Sequence, residues 1–303
     1  MEKLLSIIIV SFNSKYFLDK CLASLSKSSL DKKKQEIIII DNASTDGTFN
    51  YIRKKYPHLT IEHNLENLGF AKANNKAIEK AKGKYVLLLN PDTIVPENCL
   101  LLMTSFMEKN KQAAVSTCRV ELPDGTLDDA CHRGYPTPWN AFCHFTYLSA
   151  IFPQSFTFNG YHLGYRNLGL IHEIDSCAGA FMLIRRKIGE KLNWLDEDYF
   201  WYGEDLDFCF RVKKANFRVY FVPTSKIIHY KGISSGLKRH SRNLSTADKK
   251  TRIKATQARF AVMRIFYRKH YQKSREKLLS RFILAVINIK EKLSLISLKM
   301  HEN

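Results

Sequence analysis

A chain of 303 residues and 35.1 kDa is long enough for one large α/β domain, or a domain with an appendage, around a substantial core. Hydrophobic residues at 45% and charged residues at 25% exclude wholesale disorder, collagen and a disulfide-stapled miniprotein. The net charge of +19 is uneven: residues 231–303 hold 19 Lys/Arg against 4 Asp/Glu, so the tail suits an anionic partner, either phospholipid or nucleic acid.

Ile7–Val10 is a continuous apolar run suited to a buried parallel strand. Asn13 or Ser14 is placed to cap a helix whose Phe17, Leu18, Cys21, Leu22 and Leu25 share one face. Glu36–Ile40 reads as a second strand ending at Asp41, and a helix is expected from about Thr45 to Lys55, capped by Ser44 or Thr45 and stopped by Pro57. Leu59–Glu62 is a weaker strand, Gly69–Ala81 a helix, and Tyr85–Leu89 a strand running into Asn90-Pro91-Asp92. Residues 131–172 hold many aromatics, three Pro and little periodicity, and read as irregular. Ile174–Ile184 is again apolar, Asp196–Tyr202 is an acidic aromatic loop, Glu204–Ala215 a helix, and Arg218–Val222 and Lys226–His229 two strands.

Strands alternating with helices predict a mostly parallel sheet covered on both faces, with ligands at the carboxyl ends of its strands. Asn13, Asp41 and Asp92 all follow strands closely and are expected to share that crevice. A carboxylate at Asp41 can accept the N3–H of a uracil or thymine ring, although the same stretch also makes an ordinary capped helix start. Asp92 on a rigid strand end suits a hard divalent cation that takes its other ligands from water and a diphosphate. Glu204, Asp205 and Asp207 crowd three carboxylates into four residues beside aromatics, where repulsion and burial would raise one pKa and prepare a general base. Dipole complementation at a helix start explains the same acids equally well. The seven Cys lack CxxC spacing and read as reduced thiols; the scattered His show no zinc spacing, and the GxGxxG, P-loop and GxSxG motifs are absent.

Taken in order, IIIVSFN, IIIIDNASTDGT, NLGFAKANN, YVLLLNPD, GAFMLIRR, DEDYFWYGEDLDFCFR and IIH resemble the motif string of family 2 glycosyltransferases of the GT-A fold. The rhamnosyltransferase-type branch is the most similar, with Asn-Pro-Asp in place of Asp-x-Asp and Arg133-Gly-Tyr-Pro-Thr-Pro138 ahead of the acceptor region. The resemblance covers about residues 4–235. It implies a nucleotide-binding half at 1–92, an acceptor and catalytic half at 93–235, and a basic helical extension at 236–303. It implies that Asp41 contacts the nucleotide base and that Ser11, Asn13, Asn67 and Gly69 line the nucleotide pocket. Asp92 would bind Mg2+ or Mn2+ with help from His229, and Asp205, beside Glu204, would be the catalytic base. A Gly pair is usual after that His, whereas Tyr230-Lys231-Gly232 keeps one, and Asn216 stands where Gly is usual. The implied activity is inverting transfer of a sugar, rhamnose from dTDP-rhamnose foremost, to a growing, lipid-linked cell-surface glycan. Galactose, GlcNAc or another hexose from a UDP-sugar is the alternative.

No stretch reaches the roughly 18 apolar residues of a membrane span, and the N-terminus reads as a strand rather than a signal peptide, so the expected location is cytoplasmic and peripheral to the membrane. The tail predicts one helix with a stripe at Ala258, Ala261, Val262, Ile265 and Phe266. A second carries Leu279, Phe282, Val286, Ile289, Leu293, Ile296 and Met300 at alternating spacings of three and four. An anionic membrane surface or a homodimer would suit it. Nucleic acid is disfavoured by the nearly neutral body and the lack of an RRM, KH or helix-turn-helix pattern.

Overall fold

The computed structural model describes residues 3–232, 248–272 and 277–300. The strands are β1 (Leu5–Ser11), β2 (Gln35–Asp41), β3 (Thr60–His63), β4 (Tyr85–Leu89), β5 (Thr93–Ile94), β6 (Ala113–Glu121), β7 (His172–Ile174), β8 (Phe181–Arg185) and β9 (Arg218–His229). The first helices are α1 (Lys15–Ser26), α2 (Thr48–Lys55), α3 (Phe70–Ile78), α4 (Cys99–Lys109) and α5 (Pro138–Phe145). They are followed by α6 (Leu148–Ile151), α7 (Arg186–Lys191), α8 (Glu204–Lys214), α9 (Lys249–His270) and α10 (Lys277–Met300).

One sheet joins all nine strands in the order β3-β2-β1-β4-β8-β6-β9-β5, with β7 also on β9. The pairings run six strands one way and only β5, β7 and β8 the other. The all-apolar runs of β1 and β4 are explained by burial on both faces: Ile7, Ile8, Ile9, Val86, Leu87 and Leu88 lie in one core with Leu18, Leu22 and Ile184. The seven cysteines are buried and free, as reduced thiols should be.

Several local expectations change for identifiable reasons. Ser14 stands at the start of α1 without capping it; its hydroxyl pairs with Ser11 Oγ at 2.8 Å. α2 begins at Thr48, after Gly47 at φ 79°, because Ser44 and Thr45 are drawn to Asn13 and Asp46 supplies the turn by accepting from Thr48 N at 3.0 Å. β9 is one strand rather than two. Its register against β6 skips from Val222 to Lys226, so Pro223, which has no N–H to donate, sits in the unpaired stretch. The region 131–172 contains a capped helix: Thr137 Oγ1 accepts from Asn140 N at 3.1 Å and Pro138 takes the first helical position. The apolar run at 174–184 divides between β7 and β8.

The C-terminal helices are packed on the body. Phe266 of α9 shares a cluster with Tyr199, Leu206, Phe210 and Tyr135, and Val262 lies where a Cβ on Gly203, at φ 90°, would come within 2.4 Å. His270 Nε2 meets Asp207 Oδ1 at 2.6 Å, while Arg211 Nε donates to the other oxygen at 2.7 Å. α10 lies along α9, joined by Arg264 to Glu291 at 2.5 Å. Of the seam on α10, Ile289, Leu293 and Ile296 are exposed; the side chains of Leu279, Phe282 and Met300 and all of residues 233–247 fall outside the described residues.

Burial opposes ionisation of Asp207, but His270 and Arg211 outweigh it and hold its carboxyl below the usual range. The stability this contributes is present above the ordinary carboxylate pKa and is lost as pH falls through the depressed one. His270→Ala is therefore expected to cost about 1–3 kcal/mol at neutral pH. It should also make the acid limb of the stability curve shallower. Thermal melts between pH 3 and pH 7 check both.

Candidate active site

Parallel pairing of β1 with β2 sets Ser11 beside Asp41, and pairing of β2 with β3 sets Asp41 beside His63. Asp41 is fully buried at the carboxyl end of its strand. Its Oδ2 takes His63 Nδ1 at 2.7 Å and Ser44 N at 3.2 Å, while Oδ1 is buried with no hydrogen-bond partner. A lone acceptor on a rigid strand end is what a ring N–H would satisfy. Asn13, at φ 48°, ties the two neighbouring loops together: its Oδ1 accepts from Thr45 N at 2.8 Å and its backbone N–H donates to Ser44 Oγ at 2.9 Å.

The opposite wall is held by Asn42, which the sequence reading passed over. Its Nδ2 donates to Asn67 Oδ1 at 2.8 Å and to the Gly69 carbonyl at 3.3 Å; its Oδ1 accepts from Asn64 and from Leu68 N. Asn67 Oδ1 also accepts from Gly69 N at 3.0 Å. Gly69 is required by its φ of 82° and because a Cβ there would come within 2.6 Å of the Phe200 carbonyl. The acidic aromatic loop is thus pinned over the start of α3.

Asp92 and His229 meet although 137 positions separate them, because β5 pairs Thr93 with His229. Asp92 Oδ1 and His229 Nε2 are 3.3 Å apart, and Asp128 Oδ2 holds His229 Nδ1 at 2.9 Å. Burial disfavours the imidazolium, but the two carboxylates prevail and push the His229 pKa up to about 9. Asp128 is held well below its usual range: burial opposes this, and His229 and Lys231, whose ammonium sits on Asp128, outweigh it. Once a divalent cation displaces the Nε2 proton, Asp92 and an imidazole whose far nitrogen is fixed by a second carboxylate fit that cation. Among the described residues no group of three or more His, Cys, Asp or Glu forms a cage, so the remaining ligands would have to come from water and substrate.

The third group opens α8, after Gly203. Asp205 Oδ2 accepts from Gly179 N at 3.2 Å and faces Arg133 Nη2 at 3.6 Å. Glu204 is 5% exposed, its Oε2 has no partner, and burial, then the charge of Asp205, push its carboxyl well up. The neighbour with the raised pKa is therefore Glu204, and the neighbour held by an N–H and a guanidinium is Asp205. Arg133, Asp128 and His63 are contacts that the sequence reading did not assign. Arg133 carried a signal as the first residue of the Arg-Gly-Tyr-Pro-Thr-Pro element, and His63 because it ends a strand as Asp41 does.

Residues 6–193 match Glycosyl transferase family 2. The chain is 30% identical over 239 residues to "Rhamnosyltransferase WbbL" of Escherichia coli (strain K12), spanning 74% of this chain and 82% of that protein. It is 25% identical over 250 residues to "N-acetylglucosaminyl-diphospho-decaprenol L-rhamnosyltransferase" of Mycobacterium tuberculosis (strain ATCC 25618 / H37Rv), spanning 78% and 79%. Among solved structures it is similar to the mannosyltransferase PcManGT from Pyrobaculum calidifontis, solved with GDP-Man and Mn2+. The TM-score there is 0.57 at 15% identity, over 99% of this chain and 74% of that one.

Proposed function

The chain belongs to glycosyltransferase family 2, and we propose that it transfers L-rhamnose from dTDP-rhamnose, with inversion, to a hydroxyl of a lipid-linked cell-surface glycan. It is a glycosyltransferase of the GT-A fold. The observation that carries the reading is that β2, β4 and β9 run the same way and bring to one end of the sheet a buried lone acceptor, Asp41, and an Asp92–His229 pair, with the carboxylate Asp205 bonded to Gly179 N just before β8. The rhamnosyl donor and lipid-linked acceptor are supported by the two relatives, each covered over most of its length.

Asp41 accepts the N3–H of the thymine ring, and Ser11, Asn13, Asn67 and Gly69 line the nucleotide pocket. Arg133 and the Gly179 N–H orient Asp205. Asp205 removes the acceptor proton, and the freed oxygen attacks the anomeric carbon from the face opposite the nucleotide. The carbon–oxygen bond to the diphosphate breaks with its electron pair on the leaving group, so the configuration inverts. Asp92 and His229 would hold a divalent cation, Mg2+ or Mn2+, which when bound supplies positive charge against the leaving diphosphate. Residues 1–235 form the transferase and 236–303 the extension that meets the anionic cytoplasmic membrane surface. No described helix is long and apolar enough to cross a membrane. The exposed Ile289, Leu293 and Ile296 beside the basic residues of α10 suit interfacial docking instead.

The test is a panel of dTDP-, UDP- and GDP-sugars with Mg2+ or Mn2+, scored by thermal shift and slow donor hydrolysis, followed by transfer to lipid-diphosphate GlcNAc. Stabilisation and turnover with dTDP-rhamnose are expected; preference for a UDP-hexose overturns the donor assignment.

A further inference from the structure

A cavity of about 340 Å³ lies between α5, α6, the segment 159–162 and α10, lined among others by His144, Phe145, Tyr147, Asn159, His162 and Lys290. None of its lining residues is a carboxylate. Lys290 stands 3.6 Å from the centroid of the Phe145 ring, and His144 Nδ1 meets His162 Nε2 at 3.1 Å. Burial lowers the pKa of both histidines; His162 and Lys290 add to this for His144 and Arg133 for His162, while the Asp129 carboxylate opposes it at both. Asn159 is 5% exposed, and its Oδ1 is buried without a partner while its Nδ2 donates to the Pro153 carbonyl at 2.5 Å. An ammonium beside two imidazoles describes a site for an anion.

The surroundings of the cavity differ on its two sides. Outward, Phe142, Tyr147, Ile151 and Phe152 are exposed on and after α5 and α6, and Ile289 is exposed next to Lys290. Inward, Gly134 N donates to the Tyr161 carbonyl at 2.8 Å, one residue from His162, and Arg133 on the other side of that bond faces Asp205. The cavity is therefore linked through Tyr161 and Gly134 to Arg133 and the base, with apolar side chains exposed on its other side.

We propose that this cavity is the subsite for the diphosphate bridge of the lipid-linked acceptor. Lys290 and the ring N–H that the His144–His162 pair leaves free bind phosphate oxygens, and the lipid leaves over the exposed aromatic rim. The assignment rests on the lipid-linked acceptor proposed above. A free phosphate would use the cations and leave the apolar rim unused, whereas an amphiphile with an anionic bridge uses both.

The full chain is assayed in detergent with two acceptors bearing the same sugar: a short-chain lipid diphosphate and an alkyl glycoside lacking phosphate. Wild-type protein is expected to favour the diphosphate acceptor in kcat/KM. Lys290→Ala should reduce that preference about tenfold or more, Lys290→Arg should restore most of it, and His162→Gln should reduce it in the same sense. Lys292→Ala, an exposed charge on the same helix, should keep the preference while weakening flotation with phosphatidylglycerol vesicles. A Lys290→Ala protein that loses flotation but keeps the preference makes Lys290 a headgroup contact and overturns the subsite. Wild-type protein that transfers to the alkyl glycoside and never to the lipid diphosphate overturns the acceptor reading itself, and the subsite with it.

Discussion

Asp205→Asn is expected to lower kcat by about 100-fold or more, with donor KM little changed and the melting temperature nearly held. The amide is almost the same shape, and its single oxygen keeps one of the two backbone bonds that the carboxylate accepts, from Leu206 N at 2.7 Å and from Gly179 N at 3.2 Å. What it loses is the ability to take a proton and the attraction of Arg133. Glu204→Gln is the matched control. Burial already keeps that carboxyl toward its neutral form, so an uncharged amide changes little, and a modest effect is expected. Single-turnover transfer with both variants decides the assignment; a crippled Glu204→Gln beside an active Asp205→Asn would exchange the two roles.

The second large effect is expected at Asp92. Asp92→Ala should abolish measurable transfer, a loss of at least about 100-fold, together with any Mn2+-dependent thermal shift by nucleotide. The residue is buried at the strand end but belongs to no apolar cluster, and His229 remains fixed through Nδ1 by Asp128, so the fold should persist. Asp92→Asn is the sharper version because it keeps the volume. EDTA should reproduce the loss in wild-type protein and add nothing to the variant. Full transfer in EDTA would remove the cation from the reaction and leave Asp92 and His229 as an internal ion pair.

β1, β2 and β4 were legible because burial leaves them as apolar runs; Asp41 and Asp92 were legible as carboxylates just where such runs end, and Glu204 and Asp205 as acids crowded at a helix start. Ser14 and Ser44 misled because a short hydroxyl that caps helices in isolation is claimed here by tertiary partners, Ser11 and Asn13. Asp128 lies 101 positions from His229 and Arg133 lies 72 from Asp205, in a stretch without periodicity, so no local pattern could join them. Asn42 was hidden for another reason: it looks like a turn residue, and only the folded chain reveals that one amide clamps both Asn67 and Gly69. The α9 contact was equally silent, since a stripe at helical spacing states that a face is covered without naming what covers it.

The packing of Val262 against Gly203, and of His270 against Asp207, sets a segment made after α8 against the helix that carries Asp205. A ribosome adds about 5–20 residues per second, and domains generally fold as their segments emerge. The nucleotide pocket can therefore assemble while synthesis continues, but Leu206 and Phe210 of α8 have only Tyr199 and Tyr135 for cover until Phe266 and His270 are free. A nascent chain would bind donor for seconds before it could use it. Ribosome-stalled chains ending before α9 should accordingly bind nucleotide while turning over poorly, so the order of translation delays chemistry until the C-terminal helices exist.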